Sequence, residues 1–168
     1  MYDFGIEGYR PQWLSGPALV ARTHGPLLRA LGGRPLSRVW MVWDLEDDEW
    51  FCDCPVLLDF DGVQLEINHW KFDDLSLTWN TIGPLRPVTL APFRLEWRPE
   101  PLPELRAVRG ATLQRAELLE WVVNGAAGRT VDLSFVFPDA RVTVFNALDE
   151  NGLTFGPPDP DQRVRTVR

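Results

Sequence analysis

Lysine is almost absent from this chain. Of its 17 basic residues only Lys71 is a lysine, against 24 acidic residues, and the formal charge is −7 over 168 residues. Binding to nucleic acid or to an anionic membrane needs clustered Lys and Arg, so this acidic balance argues against both. The arginine skew fits GC-rich coding DNA better than a demand for bidentate contacts. Cysteine is nearly as scarce. Cys52 and Cys54 are the only two, and a bridge across one intervening residue would be strained and would close no long loop. No apolar run approaches a membrane span, and Met1–Pro11 lacks the charged-then-apolar pattern of a leader, so a cytoplasmic location is expected. Recognisable catalytic motifs are missing too. There is no G-x-S-x-G elbow, no phosphate loop, no dinucleotide fingerprint and no H-E-x-x-H, and the two histidines restrict any triad to His24 or His69. No catalytic residue and no cofactor is expected.

What the chain does have is 45% hydrophobic residues and eight tryptophans, enough for a real core in a single domain. It also repeats itself. Leu28, Arg29, Ala30, Gly33, Leu36 and Arg38 recur at a constant offset of 77 as Leu105, Arg106, Ala107, Gly110, Leu113 and Arg115. Six matches in eleven positions compare with about one expected by chance, and self-similarity of this kind marks a duplicated unit. Phe60, Leu65 and Ile67 continue the match onto Phe137, Val142 and Val144, and after a one-residue insertion Asn68 meets Asn146 and Leu75 meets Leu153.

Met1–Pro26 is punctuated by Gly and Pro too often for a long helix, leaving at most a short turn at Ala18–Thr23. Pro35–Asp44 reads as a strand through Val39, Trp40, Met41, Val42 and Trp43. Val56–Phe60 and Val63–Ile67 flank Asp61-Gly62, a strong hairpin signal, and Leu75, Leu77 and Trp79 alternate with polar residues in a fourth strand. Leu113–Val123 is rich in helix formers, but its repeat mate is the strand Leu36–Glu46, so it is assigned to a strand. Leu133–Phe137 and Arg141–Phe145 form the second hairpin, and Leu153–Phe155 a short strand.

The expected fold is therefore all-β with little helix: a tandem duplication (residues 28–82 and 105–158) of a four-stranded antiparallel unit, forming a pseudo-two-fold sandwich or a curled, barrel-like sheet. Residues 83–104 form a proline-rich connector with one edge strand between Val88 and Trp97. Residues 157–168 form a loose tail.

Three groups of residues could carry function. Asp44, Glu46, Asp47, Asp48 and Glu49 place five carboxylates in six positions, followed by Trp50. The plain reading is a solvated turn. The functional reading is a docking surface for a basic protein, with Trp50 as its aromatic anchor. The register lacks the staggered ligands and glycine of a calcium loop. The second repeat has the neutral Asn124–Gly128 in the matching place, so the acids are not a requirement of the repeated unit. Cys52, Cys54, His69 and His24 could compose a zinc set, but the one-residue spacing between the cysteines fits poorly, and no metal is expected. His69 reads as a loop histidine. Trp70 and Trp79 are candidates for lining a ligand site in the mouth or interior of a curled sheet.

The repeated pattern V-x-L-x-F-turn-L-x-[IV]-N, in Val56–Asn68 and Leu133–Asn146, resembles small uncharacterised bacterial two-repeat β proteins, some of them similar to immunity proteins of polymorphic toxin systems. The resemblance implies a binding role and transfers no functional residue. The expectation is a non-enzymatic binding protein that occludes a basic partner, with a small-ligand binder next and a hydrolase or metal enzyme last. Homodimerisation through an exposed edge strand is compatible with the pattern.

Overall fold

The computed structural model describes residues 1–123 and 126–167. The first half of the chain carries β1 (Trp13–Ser15), α1 (Pro17–Ala30), β2 (Arg38–Asp44), β3 (Glu49–Trp50), β4 (Val56–Phe60), β5 (Val63–Trp70), β6 (Asp74–Trp79) and β7 (Leu95–Pro99). The second carries α2 (Pro103–Val108), β8 (Arg115–Val123), β9 (Ala126–Phe137), β10 (Ala140–Asn146), β11 (Asn151–Thr154) and β12 (Gln162–Thr166). No helix is long and apolar enough to cross a membrane.

The strands form two antiparallel sheets. One is ordered β1-β6-β5-β4-β2-β3, with β7 on the other side of β2, and the second is ordered β11-β10-β9-β8-β12. Neither closes into a barrel. Both contribute to one core, in which Val39, Met41, Leu58, Leu65 and Ile67 of the first sheet meet Leu118, Leu133, Phe135 and Val142 of the second. Phe60 and Phe135 bring their rings to 5.7 Å across it.

The 77-residue offset also relates strand pairings. Leu58 opposite Leu65 has its counterpart in Phe135 opposite Val142, and Val56 opposite Ile67 in Leu133 opposite Val144. The segments that join the sheets obey the same offset. Gly33 N–H donates to Leu113 O (2.8 Å) and Gly110 N–H to Leu36 O (2.7 Å), while Leu36 N–H donates to Ala111 O and Leu113 N–H to Arg34 O, both at 2.9 Å. Pro35 and Thr112 stand opposite each other at the centre. Gly33 and Gly110 have φ of 85° and 83°, where a side chain would be strained, which is a physical reason for glycine at both places.

β8 is a strand despite its helix-forming composition. Leu118 faces the core opposite Leu133, and Leu119 faces outward opposite Asp132, so both faces are covered and the strand reads as a nearly continuous apolar run. Long-range pairing here overrides propensity. The Asp61-Gly62 hairpin closes Phe60 onto Val63 with positive φ at both turn residues, as a two-residue turn of this kind requires.

Three expectations need correction. The N-terminal segment holds a 14-residue helix, not one short turn. It starts at Pro17, whose fixed φ suits the first helical position, and buries Val20, His24 and Leu28, four residues apart, against the sheets. Pro26 is accommodated inside it. The C-terminal tail is not loose: Gln162–Thr166 pair with Trp121–Glu117 of β8. The short helix α2, which follows the extended Leu102, opens the second half where only strands were expected.

Each sheet also has an outer face. Between β6 and β7, residues 80–94 cross the first sheet, and with the N-terminal segment they bury a second cluster of Phe4, Ile6, Tyr9, Leu57, Ile82 and Val88. Between β11 and β12, residues 155–161 cross the second. Those strands lie four spacings apart, about 19 Å, and eight peptide steps reach at most about 28 Å, so this strap is too short to coil into a helix on the way. Pro157 and Pro158 suit an extended path, and the strap closes in a turn at Pro160-Asp161, where Gln162 N–H donates to Asp159 O at 2.9 Å.

Candidate functional site

Asp44–Trp50 forms the tight connection between β2 and β3, where Asp44 pairs with Glu49 and Trp43 with Trp50. Asp44 is buried, and its Oδ1 accepts the backbone N–H of Glu46 at 2.9 Å, fixing the turn as an Asx-type cap. Asp48, at φ 53°, accepts the indole N–H of Trp43 at 3.0 Å and lies 3.5 Å from the Arg98 guanidinium, which covers the Trp43 ring. The five carboxylates thus divide. Asp44 and Asp48 build the turn, whereas Glu46, Asp47 and Glu49 are exposed and have no basic partner among the described residues. Trp50 does not serve as the exposed anchor expected of it. Its ring packs against the main core and its indole N–H is buried without a partner. Leu45 is the exposed apolar residue of this turn. Of the neutral counterpart Asn124–Gly128, Asn124 and Gly125 lie outside the described residues.

The cysteines and histidines do not converge. Cys54 is fully buried under the outer cluster and burial raises its thiol, while burial and then the carboxylates of Glu150, Asp53 and Glu49 push Cys52 up to about 12. Neither supplies a thiolate at neutral pH. Among the described residues no three His, Cys, Asp or Glu side chains come together as a metal site. His69 is not a loop residue. It is buried in β5, and its Nε2 lies 3.0 Å from Val131 O, so a neutral ring donates from the first sheet to the second. Burial lowers its pKa, against the raising effect of the bonds to Val131 and Asn151. Asn151 extends the tie by accepting the His69 N–H at 2.7 Å and donating towards Cys52 O, Cys54 O and Asn68 Oδ1.

Trp70 and Trp79 face opposite sides of the first sheet. Trp70 lies in the outer cluster with Phe4 and Trp13, while Trp79 packs on the main core and donates its indole N–H to His24 Nδ1 at 3.2 Å. They cannot line a common pocket.

A cavity that combines apolar walls with a buried carboxylate lies on the outer face of the second sheet, beneath the strap. Its volume is about 280 Å³. Leu119, Trp121, Phe145, Pro157 and Pro158 give it apolar walls, and Asp132, Thr143, Thr154, Asp159 and Gln162 supply polar groups. Asp132 is 3% exposed. Its carboxylate accepts Gln162 Nε2–H at 2.5 Å, with further bonds from the Trp121 side chain and the Asn146 backbone, and no basic side chain pairs with it among the described residues. Burial outweighs those bonds and pushes it up to about 6. Sequence reasoning missed this site because its walls come from five strands and a strap read as loose. The one legible signal was Asp132 itself, a charge inside an otherwise β-forming run.

The strap is held in place by β12. Glu120 of β8 is fully buried and binds Arg163 at 2.6 Å and also Arg165. Burial acts to raise its carboxyl, and the two guanidinium groups outweigh that, leaving its pKa below the ordinary carboxylate value. No family model, curated protein or solved structure matches this chain.

Proposed function

We propose that this chain is a non-enzymatic binding protein that engages a basic protein partner through the Asp44–Glu49 turn, its sharpest form being an immunity-type inhibitor acting in the cytoplasm. The observation that carries this reading is the state of Glu46, Asp47 and Glu49: three exposed carboxylates without basic partners among the described residues, on a turn held by Asp44 and Asp48. Ordered like charges of this kind steer a basic partner to one patch and raise its association rate. Burial of Leu45 would follow contact. The scaffold is proposed to be a duplicated β unit arranged as a pseudo-two-fold sandwich, which the matched registers and the reciprocal bonds at Gly33 and Gly110 support.

The test is affinity capture from the native host at low salt, with wild type and the triple variant Glu46→Lys, Asp47→Lys, Glu49→Lys in parallel. A basic protein retained by wild type, with affinity falling at least tenfold in the variant, is the expected result. Equal retention by both would overturn the assignment of the turn. A second reading, small-ligand binding, is favoured by the cavity beneath the strap and is independent of the turn.

A further inference from the structure

The two outer faces differ in what fills them. On the first sheet the crossing segment of residues 80–94 joins the N-terminal segment, with Ile6 opposite Val88 and Thr89 N–H donating to Gly5 O at 2.9 Å, so protein occupies the face. At its centre Glu66 is fully buried and accepts bonds from Thr78 Oγ1, Thr81 Oγ1, Gln64 Nε2 and the backbone N–H groups of Thr81 and Ile82. Thr143 takes the Glu66 position in the second sheet, and Thr154 stands opposite it as Thr78 stands opposite Glu66. There the strap has only residues 155–161, no second segment reinforces it, and the cavity of about 280 Å³ remains.

We propose that this cavity binds a small organic monocation: a protonated amine on a flat apolar body, its ammonium at Asp132 and its body against Trp121, Phe145 and Pro157. Three features select that chemistry. A nearly fully buried carboxylate without a basic partner among the described residues is costly alone and gains from a bound cation. Aromatic walls attract cations and tolerate a flat apolar body. Among the described residues no Lys, Arg or His lines the cavity, and a second carboxylate, Asp159, stands at its strap side, so an anion would be repelled. Thr143 and Thr154 offer hydroxyls for further ammonium hydrogens, which orient a small ligand in an otherwise apolar pocket.

The experiment titrates the full chain with 2-phenylethylammonium chloride, using 2-phenylethanol as a neutral analogue of the same shape. Calorimetry gives affinity, and the NMR shift of the Trp121 indole N–H reports the place. The ammonium is expected to move that signal and to bind at least tenfold more tightly than the alcohol. Asp132→Asn is expected to remove that preference. Thr154→Trp, which keeps Asp132 and fills the cavity, is expected to abolish binding of both, and it carries the test if the Asn variant fails to fold. Equal affinity for alcohol and ammonium, binding retained in Thr154→Trp, or no movement of the Trp121 signal at millimolar ligand would each overturn the proposal. None of these outcomes depends on the acidic turn, which the capture experiment tests separately.

Discussion

Two carboxylates, Glu66 and Asp132, are buried on the outer faces of the two sheets, and neither has a basic partner among the described residues. Glu66 is enclosed by donors from its own strand, the neighbouring strand and the following turn. Asp132 has fewer donors and a cavity beside it. The difference lies in the covering segments. Residues 80–94 are long enough to fold back on the first face and present backbone N–H groups to Glu66, whereas residues 155–161 must stretch from one edge of the second sheet to the other. A taut segment can cover a face without filling it. With similar strand registers, a shorter crossing therefore leaves room for a ligand where a longer one supplies protein.

The comparison can be broken most sharply at Glu66. Glu66→Ala removes the acceptor of several buried donors and is expected to cost about 4 kcal/mol of stability. A loss below about 1 kcal/mol in urea melts would mean that water reaches this face as it reaches the other. Next comes the anchor of the strap. Glu120→Ala frees Arg163 and Arg165 and is expected to cost about 2 kcal/mol, with faster hydrogen exchange across Gln162–Thr166. Unchanged protection there would show that backbone pairing alone holds the strap.

Asp132 sharpens the comparison through pH. Its carboxyl is raised from 3.8 to about 6, so the folded chain keeps a proton that the unfolded chain releases between those values. Stability contributed by this group is complete at low pH and falls as pH rises through about 4 to 6, by up to roughly 3 kcal/mol. Asp132→Asn should flatten that decline and raise stability at pH 7 by about 1–2 kcal/mol, read from melts across the pH series. A variant whose pH profile matches wild type would disprove the assignment. The smallest effect belongs to the acidic turn. Replacing Glu46, Asp47 and Glu49 by Lys should alter stability by no more than about 0.5 kcal/mol, since exposed charges contribute little to folding. Any larger loss would make the turn structural instead of partner-facing.

Legibility followed the range of the interactions. The two-residue turn at Asp61-Gly62 and the alternation of Leu75, Leu77 and Trp79 are local and could be read directly. β8 was legible only through its repeat mate, because its composition favours helix. The helix α1 was obscured by Gly25-Pro26, although Val20, His24 and Leu28 carried the four-residue spacing that could have revealed it. The acidic turn was visible as composition, but its division into structural Asp44 and Asp48 and exposed Glu46, Asp47 and Glu49 depends on hydrogen bonds to Trp43 and to the backbone.

By itself, the sequence determined the strands of the two hairpin-bearing halves, the hairpins and the 77-residue self-similarity, since each is written in neighbouring residues or in direct correspondence between two stretches. Tertiary structure alone decided which carboxylates are buried, that Trp50 turns inward, that Trp70 and Trp79 face opposite ways and that the tail becomes a strap over a cavity. The reason is physical. Burial and cavity volume depend on which distant segment lies over a face, and chain geometry sets that cover only once both sheets exist.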